Sequence, residues 1–418
     1  MKKAFRKLCA LLPECTADIA ALCRGAEYFE LDESTVRRAA ALLPGHHALN
    51  YKGVRMLLAA CIEEFAECFS PHGAPRCEVT VPAPTCALLA LQNAAGERLA
   101  LSSSAFFAQI MLRGILNYAE PMSLASCAKR RCGLNVMRER LLTAPGVAAP
   151  EYQLQFSVLC DECAKVGESA GQKTQTLTAC FSYGDTERFA REFYARVEKT
   201  LGVCVTHADT QAAFALYGRL LRAQKRLEQL CRREEYEVLC GNSFALAQSV
   251  MLMTTPRMER FVAALEELAG EMENAAARSP GKKRIYCYFI PFLQPGIDRL
   301  FRDAGAELVG GAAFCTAGSA AGFDMAQMTA AWVDTLMGRA SPEEQCDIIA
   351  REMRLWHADT YLTGAFAFDR CLGASVPLQR KILREKHGIK TAVLDADFWS
   401  ENAMFGSLEN RIAQIAAG

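Results

Sequence analysis

Apolar residues in the first part of the chain recur at helical spacing, which predicts a helical N-terminal region over residues 1–75. The LDES stretch at 31–34 offers N-caps for one of these helices, and Pro44-Gly45 is expected to end it. The SPHGAP stretch at 70–75 is typical of a linker. After this linker the hydrophobic pattern changes.

From residue 76 short apolar runs alternate with amphipathic segments. A helix is predicted over 84–96, and strands are predicted over 98–104, 154–160 and 173–181. Strand–helix–strand order at this spacing is typical of parallel strands in an α/β sheet. We therefore expect a first α/β domain over 76–185.

The hydrophobic pattern over residues 186–282 predicts a helical connecting segment, and one continuous apolar stripe follows its longest helix. The stripe has steps of 4, 3, 4 and 3 residues and consists of Leu216, Leu220, Ala223, Leu227 and Leu230. Such a stripe is typical of core packing, so no chemistry is assigned to it.

Alternation of strands and helices returns after SPGKK at 279–283. RIYCYFI and AELVGG are predicted strands, and the helix between them has Pro295 near its start and Gly305 at its end. TYLTGAFAF, VPLQRKILREKHG and KTAVLDADF repeat the unit. The predicted fold class is therefore α/β, with two Rossmann-like (flavodoxin-like) open parallel-sheet domains, 76–185 and 283–418, joined by a helical segment and preceded by a helical region.

Charge and composition limit the function classes. Lys+Arg and Asp+Glu both number 47, so the formal net charge is zero, which disfavours nucleic acid or an anionic membrane as the main partner. No apolar stretch reaches the ~18 residues that span a bilayer. The N-terminus begins like a signal peptide, but Pro13, Glu14 and Asp18 interrupt its apolar segment, so an amphipathic helix and a cytoplasmic protein are expected.

Nineteen cysteines are unusual for such a chain. Because the number is odd and no export signal is predicted, we expect reduced thiols, a few of them metal ligands, and no disulfide framework. Five cysteines lie among apolar or helical neighbours and are predicted to be buried: Cys61, Cys68, Cys86, Cys231 and Cys240.

Three other thiols follow predicted strands: Cys160, Cys315 and Cys371. Ligands gather at the carboxyl ends of strands in open parallel sheets. Cys160 and Cys163 also open a predicted helix, where the helix dipole favours thiolates, and thiolates select zinc or iron–sulfur. No second CxxC accompanies them, so two partly buried thiols on one helix turn remain an alternative. Motifs for dinucleotide or phosphate-loop binding are absent from the sequence.

Five segments in order, over about residues 80–400, resemble the 2-hydroxyacyl-CoA dehydratase / benzoyl-CoA reductase family of the D-component type, which includes double-cubane cluster proteins. The segments are PTCALLALQNAAGERLALSS, EPMSLASCAKRRCG, PEYQLQFSVLCDECAKVGE, KKRIYCYFIPFLQPGIDRLFRDAGAELVGGAAFCTAG and GAFAFDRCLGASVPLQRKILREKHGIKTAVLDADF.

The resemblance implies that Cys127, Cys160 and Cys371 bind a 4Fe–4S cluster, with Cys163 a near neighbour of Cys160. Three thiolates leave one iron open to an acyl-CoA substrate. The resemblance further implies a homologous subunit or homodimer and a separate ATP-hydrolysing iron–sulfur activator, whose strongly reducing electron produces a ketyl radical anion that expels hydroxide.

The sequence departs from the family pattern at several positions. Ala313-Phe314 replace the acidic residue before Cys315, and Val376 or Pro377 stands where the family has a glutamate. The usual Pro-Cys pair is absent, and SPEEQC, which ends at Cys346, is the nearest equivalent. Two alternatives to a dehydratase therefore remain: a double-cubane-type reductase or electron-transfer protein that recruits Cys315, Cys163 or Cys132, and a degenerate non-catalytic subunit.

Overall fold

The computed structural model describes most of the chain. The described residues are 1–71, 76–118, 133–143, 150–157, 174–181, 185–233, 239, 241–275, 282–287, 295–310, 324–335, 340–363, 370–394 and 405–417.

Four helices form the N-terminal region: α1 (Lys2–Cys9), α2 (Ile19–Tyr28), α3 (Glu33–His46) and α4 (Lys52–Glu67). Asp18 and Asp32 cap α2 and α3, since their carboxylates accept hydrogen bonds from backbone N–H groups of the first turn. The amphipathic helix predicted at the N-terminus is confirmed, because Phe5 and Leu8 of α1 are fully buried.

The predicted end of α3 at Pro44-Gly45 is wrong. The helix continues through Pro44 to His46, and the His47 N–H donates to the Leu43 carbonyl at 3.0 Å. A proline removes only its own N–H from the last turn, so the following residues complete the turn when burial favours it. His46 and His47 are both buried.

The first sheet has four parallel strands in the order β2-β1-β3-β4. They are β1 (Arg76–Val79), β2 (Ala100–Ser102), β3 (Tyr152–Ser157) and β4 (Gln175–Cys180). Its described helices are α5 (Thr85–Ala95), α6 (Ser104–Gln109), which continues into a π-helix (Ile110–Ile115), and α7 (Gly133–Thr143). The strand predicted over 98–104 is shorter than expected because α6 begins at Ser104.

Four helices follow β4: α8 (Thr186–Leu201), α9 (His207–Arg232), α10 (Gly241–Ser249) and α11 (Met258–Glu273). Helix α9 packs between α5 and α11. Leu220, Ala223, Leu227 and Leu230 are buried in this contact, so the predicted stripe is part of the core.

The second sheet is also parallel and has the equivalent order, β6-β5-β7-β8. Its strands are β5 (Lys283–Cys287), β6 (Ala306–Gly310), β7 (Thr360–Thr363) and β8 (Lys390–Val393). Its helices are α12 (Pro295–Asp303), α13 (Met325–Thr335), α14 (Pro342–Leu355), α15 (Arg370–His387) and α16 (Phe405–Ala417). Two Rossmann-like parallel-sheet units and a helical N-terminal region are thus confirmed.

Helix α13 belongs to the second half of the chain but packs against α8 and α5 of the first. The hydroxyls of Tyr194 and Thr329 are hydrogen-bonded at 2.8 Å in this buried contact. The guanidinium of Arg191 and the carboxylate of Asp324 form an ion pair at 2.6 Å beside it. Across the described ranges, no helix combines the length and apolar character needed to cross a membrane.

Candidate functional site at the carboxyl ends of the strands

In each sheet the first strand lies between the second and the third, so the strand order reverses at its carboxyl end. Ligands bind at such switch points in open α/β sheets. A cleft is present at this position in the first sheet, at the end of β1. It is lined by Glu78, Val79, Thr80, Val81, Ala105, Phe106, Asn135 and Arg138.

Glu78 places a carboxyl group in the wall of this cleft. The side chain is buried, and its Oε1 accepts a hydrogen bond from the Ala105 N–H at 3.1 Å, at the start of α6. Burial raises the pKa of Glu78, although the bond from Ala105 and the charges of Arg138 and Arg76 oppose the shift. Burial therefore favours the protonated form of the Glu78 carboxyl group.

Thr80 fixes the end of β1 to β3. Its N–H donates to the Leu154 carbonyl at 3.1 Å, and its Oγ1 accepts from the Phe156 N–H at 2.9 Å. β3 ends at Ser157, next to this contact. The segment that carries Cys160 therefore begins beside the cleft.

Most of the cysteines predicted as ligands lie outside the described residues: Cys127, Cys160, Cys163, Cys315 and Cys132. The prediction that the three main sulfurs converge in one cleft stays a prediction. The structure does describe the elements next to Cys160 and Cys127 in the chain. Cys160 follows the end of β3 by three residues, and Cys127 precedes α7, whose Asn135 and Arg138 line the cleft.

Cys371 is the second residue of α15, the helix that follows β7. β7 holds the same place in the second sheet that β3 holds in the first, since each pairs with the first strand of its sheet. Cys160 and Cys371 thus follow corresponding strands of the two units, and this correspondence was not visible as a sequence repeat.

Gly310 ends β6, before the segment that carries Cys315. Its φ is +107°, and a Cβ atom there would lie 2.5 Å from the Tyr286 ring and 2.7 Å from the Cys287 carbonyl oxygen. Only glycine can adopt this φ and also fit in this space, because it has no Cβ. The backbone at Gly310 therefore lies close against β5.

The described cysteines differ from the candidate ligands. Cys61, Cys68, Cys86 and Cys231 are buried and free, as predicted, whereas Cys240 lies outside the described residues. Burial raises the pKa of Cys86 to about 12 and that of Cys231 to about 12, so these thiols remain protonated. Within the described part of the chain, no group of three or more His, Cys, Asp or Glu side chains could hold a metal ion.

Glu78, Thr80, Asn135 and Arg138 were not predicted from the sequence. β1 is only four residues long and contains two charged residues, so the hydrophobic pattern does not mark it as a strand. The Pro residues in TVPAP, at 80–84, were the one available signal, because prolines commonly end a strand.

Comparison with protein-family models gives a match over most of the chain. The family model described as 2-hydroxyglutaryl-CoA dehydratase, D-component, matches residues 150–416, which is well over half of the chain. This region contains Cys160, Cys315 and Cys371 and begins after Cys127 and the β1 cleft. No curated protein matches the chain.

Proposed function

The chain belongs to the family of the 2-hydroxyglutaryl-CoA dehydratase D-component, and from this premise we propose that it is the iron–sulfur subunit of an enzyme that removes water from a 2-hydroxyacyl-CoA thioester in the cytoplasm. The observation that carries the proposal is the position of two cysteines. Cys160 and Cys371 both lie within the matched region, and they follow β3 and β7, the corresponding strands of the two units.

Cys127, Cys160 and Cys371 would hold the cluster. Thiolates are the ligands that iron–sulfur clusters require, and the pKa of a thiol falls at a helix N-terminus. The assignment of Cys127 depends on its sequence motif alone, since it precedes the matched region. When bound, a 4Fe–4S cluster with three protein ligands would supply a low-potential electron and one open iron for the elimination.

In this proposal the β1 cleft, whose volume of about 10 Å³ holds about one water molecule, would receive the departing hydroxyl and not the acyl chain. Asn135 and Thr80 would orient that hydroxyl, and Glu78, whose pKa is raised by burial, would hold a proton near it. The sequence contains no phosphate-loop motif, so ATP hydrolysis would be carried out by a separate iron–sulfur activator protein. A homologous subunit or a second copy would complete the enzyme.

The test is an anaerobic assay on the purified chain, combined with its partner subunit and tested with 2-hydroxyacyl-CoA thioesters. Turnover should require ATP, a strong reductant and the cognate activator, and Cys160→Ala should abolish it. Cys204→Ala is the matched control, since the exposed Cys204 thiol lies outside the proposed site, and it should retain full activity. Turnover in air without ATP would contradict the mechanism.

A double-cubane-type reductase or electron-transfer protein is the second candidate. The departures at Ala313-Phe314 before Cys315 and at Val376 or Pro377 remove acidic residues typical of the family, so the sequence supports the cluster more strongly than the dehydratase substrate. In a double-cubane-type protein Cys315→Ser should lower the iron content, whereas a dehydratase with the three-cysteine cluster should keep its iron. A chain that binds no iron at all would instead be a degenerate subunit.

A further inference from the structure

A polar junction is buried where the C-terminal end of α9 meets α10 and α14. Gln224, Glu228 and Arg232 lie on one face of α9 at spacings of four residues, Gln248 comes from α10, and Glu352 comes from α14. The side chains of Glu228 and Glu352 are only 13% and 18% exposed. Two carboxyl groups therefore share an interior site with the Arg232 guanidinium, and the exposed Arg351 guanidinium lies 3.8 Å from Glu352 at the edge of that site.

Arg232 cannot serve both carboxyl groups equally. Its Nη2 lies 2.7 Å from Glu352 Oε2 but 3.9 Å from Glu228 Oε2. Its guanidinium also lies over the Trp356 ring, with 5.3 Å between the guanidinium carbon and the ring centroid. Arg232 is thus held mainly by α14 and by Trp356, the residue that follows it, and its ion pair with Glu228 is too long to include a hydrogen bond.

Several polar atoms of the junction have no hydrogen-bond partner among the described residues. They are Glu228 Oε1, Arg232 Nε and both amide atoms of Gln224 and Gln248. The two glutamines are 1% and 7% exposed. The Gln248 amide is close enough to Glu228 to favour its charged form, but it does not complete a hydrogen bond to it.

These surroundings favour the protonated form of Glu228. Burial raises the pKa of Glu228 to about 7, and the Glu352 charge adds to the shift, while Arg232, Gln248 and Lys225 oppose it. In the neutral form, one guanidinium pairs with one carboxylate. When Glu228 is ionised, the junction contains a second carboxylate, and its Oε1 accepts no hydrogen bond from the described residues.

The junction also connects α9 to the second sheet. Arg284 of β5 donates hydrogen bonds to the carbonyls of Arg232 and Arg233 at the end of α9 and to that of Trp356 after α14. α14 continues through Trp356 into β7, the strand that precedes Cys371. A change in the packing of α14 would therefore be passed to β7.

We propose that protonation of Glu228 controls how tightly α14 and β7 are held against α9, so that the second sheet is anchored firmly below neutral pH and more loosely above it. This control is independent of the iron–sulfur function, since it involves none of the candidate ligands.

The direction follows from linkage between protonation and opening. A carboxyl group with a pKa of about 7 in the packed state and 4.5 when exposed binds its proton more tightly in the packed state. Opening therefore becomes easier as pH rises from about 4.5 and levels off above about 7. Between pH 6 and pH 8 these two pKa values give an increase of about tenfold in the opening equilibrium constant.

Amide hydrogen exchange of the whole protein at pH 6 and pH 8 tests this, after correction for intrinsic exchange rates. Protection of α14 and β7 amides should fall about tenfold in the unmodified protein, relative to α1–α3, and should stay constant in Glu228→Gln. Glu352→Gln removes the carboxylate that competes with Glu228 for Arg232 and raises the pKa of Glu228. The protection of α14 and β7 should therefore depend less on pH in this variant, even if it is lower at every pH.

Glu259→Gln is the matched control. Glu259 forms an exposed ion pair with Arg219, and its replacement should leave the tenfold change intact. Constant protection of α14 in the unmodified protein would overturn the proposal. So would a tenfold change that persists in Glu228→Gln.

Discussion

The carboxyl end of β6 offers a sharp test of packing in the second sheet. Gly310 and Gly305 are five residues apart, and both have a positive φ, +107° and +79°. They differ in their surroundings. A Cβ at Gly310 would meet the Tyr286 ring and the Cys287 carbonyl, whereas a Cβ at Gly305 would have no atom within 4 Å. The two Gly→Ala variants therefore separate backbone strain from steric overlap.

The expected costs follow from these two terms. A positive φ costs an alanine about 1–2 kcal/mol at either position. Gly310→Ala also forces atoms into a packed region, which adds about 1–3 kcal/mol. We expect Gly305→Ala to lower the free energy of unfolding by about 1–2 kcal/mol and Gly310→Ala by about 2–5 kcal/mol.

Urea titration followed by tryptophan fluorescence can measure this difference. All three tryptophans lie after residue 330, so their emission reports on the C-terminal part of the chain. If both variants unfold at the same urea concentration, the close approach of β6 to Tyr286 is absent and the reasoning fails.

Two further predictions concern buried charges. Arg284→Met should cost about 3–5 kcal/mol, because it removes the guanidinium that lies 3.2 Å from the buried Glu307 carboxylate. Adding Glu307→Leu should recover part of this loss in urea titrations, and simple addition of the two losses would contradict the expectation. Burial lowers the pKa of His47 to about 4, so the folded protein should lose about 3 kcal/mol as pH falls from 6.5 to 4. His47→Gln should show a smaller pH dependence of stability, and an unchanged dependence would exclude His47 as the cause.

Elements with strong local patterns could be predicted from the sequence. AELVG, residues 306–310 of the predicted AELVGG strand, is buried along its whole length as β6, and PGIDRLFRD forms α12, with Gly305 after it, because apolar runs and helix-end residues act locally. β1 could not be predicted. Its buried Glu78 depends on groups distant in sequence, since the Ala105 N–H donates to the carboxyl group and the charges of Arg138 and Arg76 act on it. The continuation of α3 past Pro44 likewise depends on the burial of the residues after it.

The placement of the candidate ligands stays a prediction from the sequence. Cys160 and Cys315 were expected at strand ends because ligands gather at the carboxyl ends of parallel strands, and both lie outside the described residues, whereas Cys371 lies in α15, after β7. The cleft could not be predicted, since Asn135 and Arg138 meet Glu78 only through the packing of α7. The shared position of β3 and β7 also required the strand order, which hydrophobic patterns do not specify.

The central claim is that Cys127, Cys160 and Cys371 bind one iron–sulfur cluster. Iron and acid-labile sulfide per chain, determined on anaerobically purified protein, test it most directly. The account predicts about four of each for the unmodified chain and for the Cys204→Ala control, and a loss of most of both in Cys160→Ala and Cys371→Ala. Full iron and sulfide content in both of these variants would contradict the assignment.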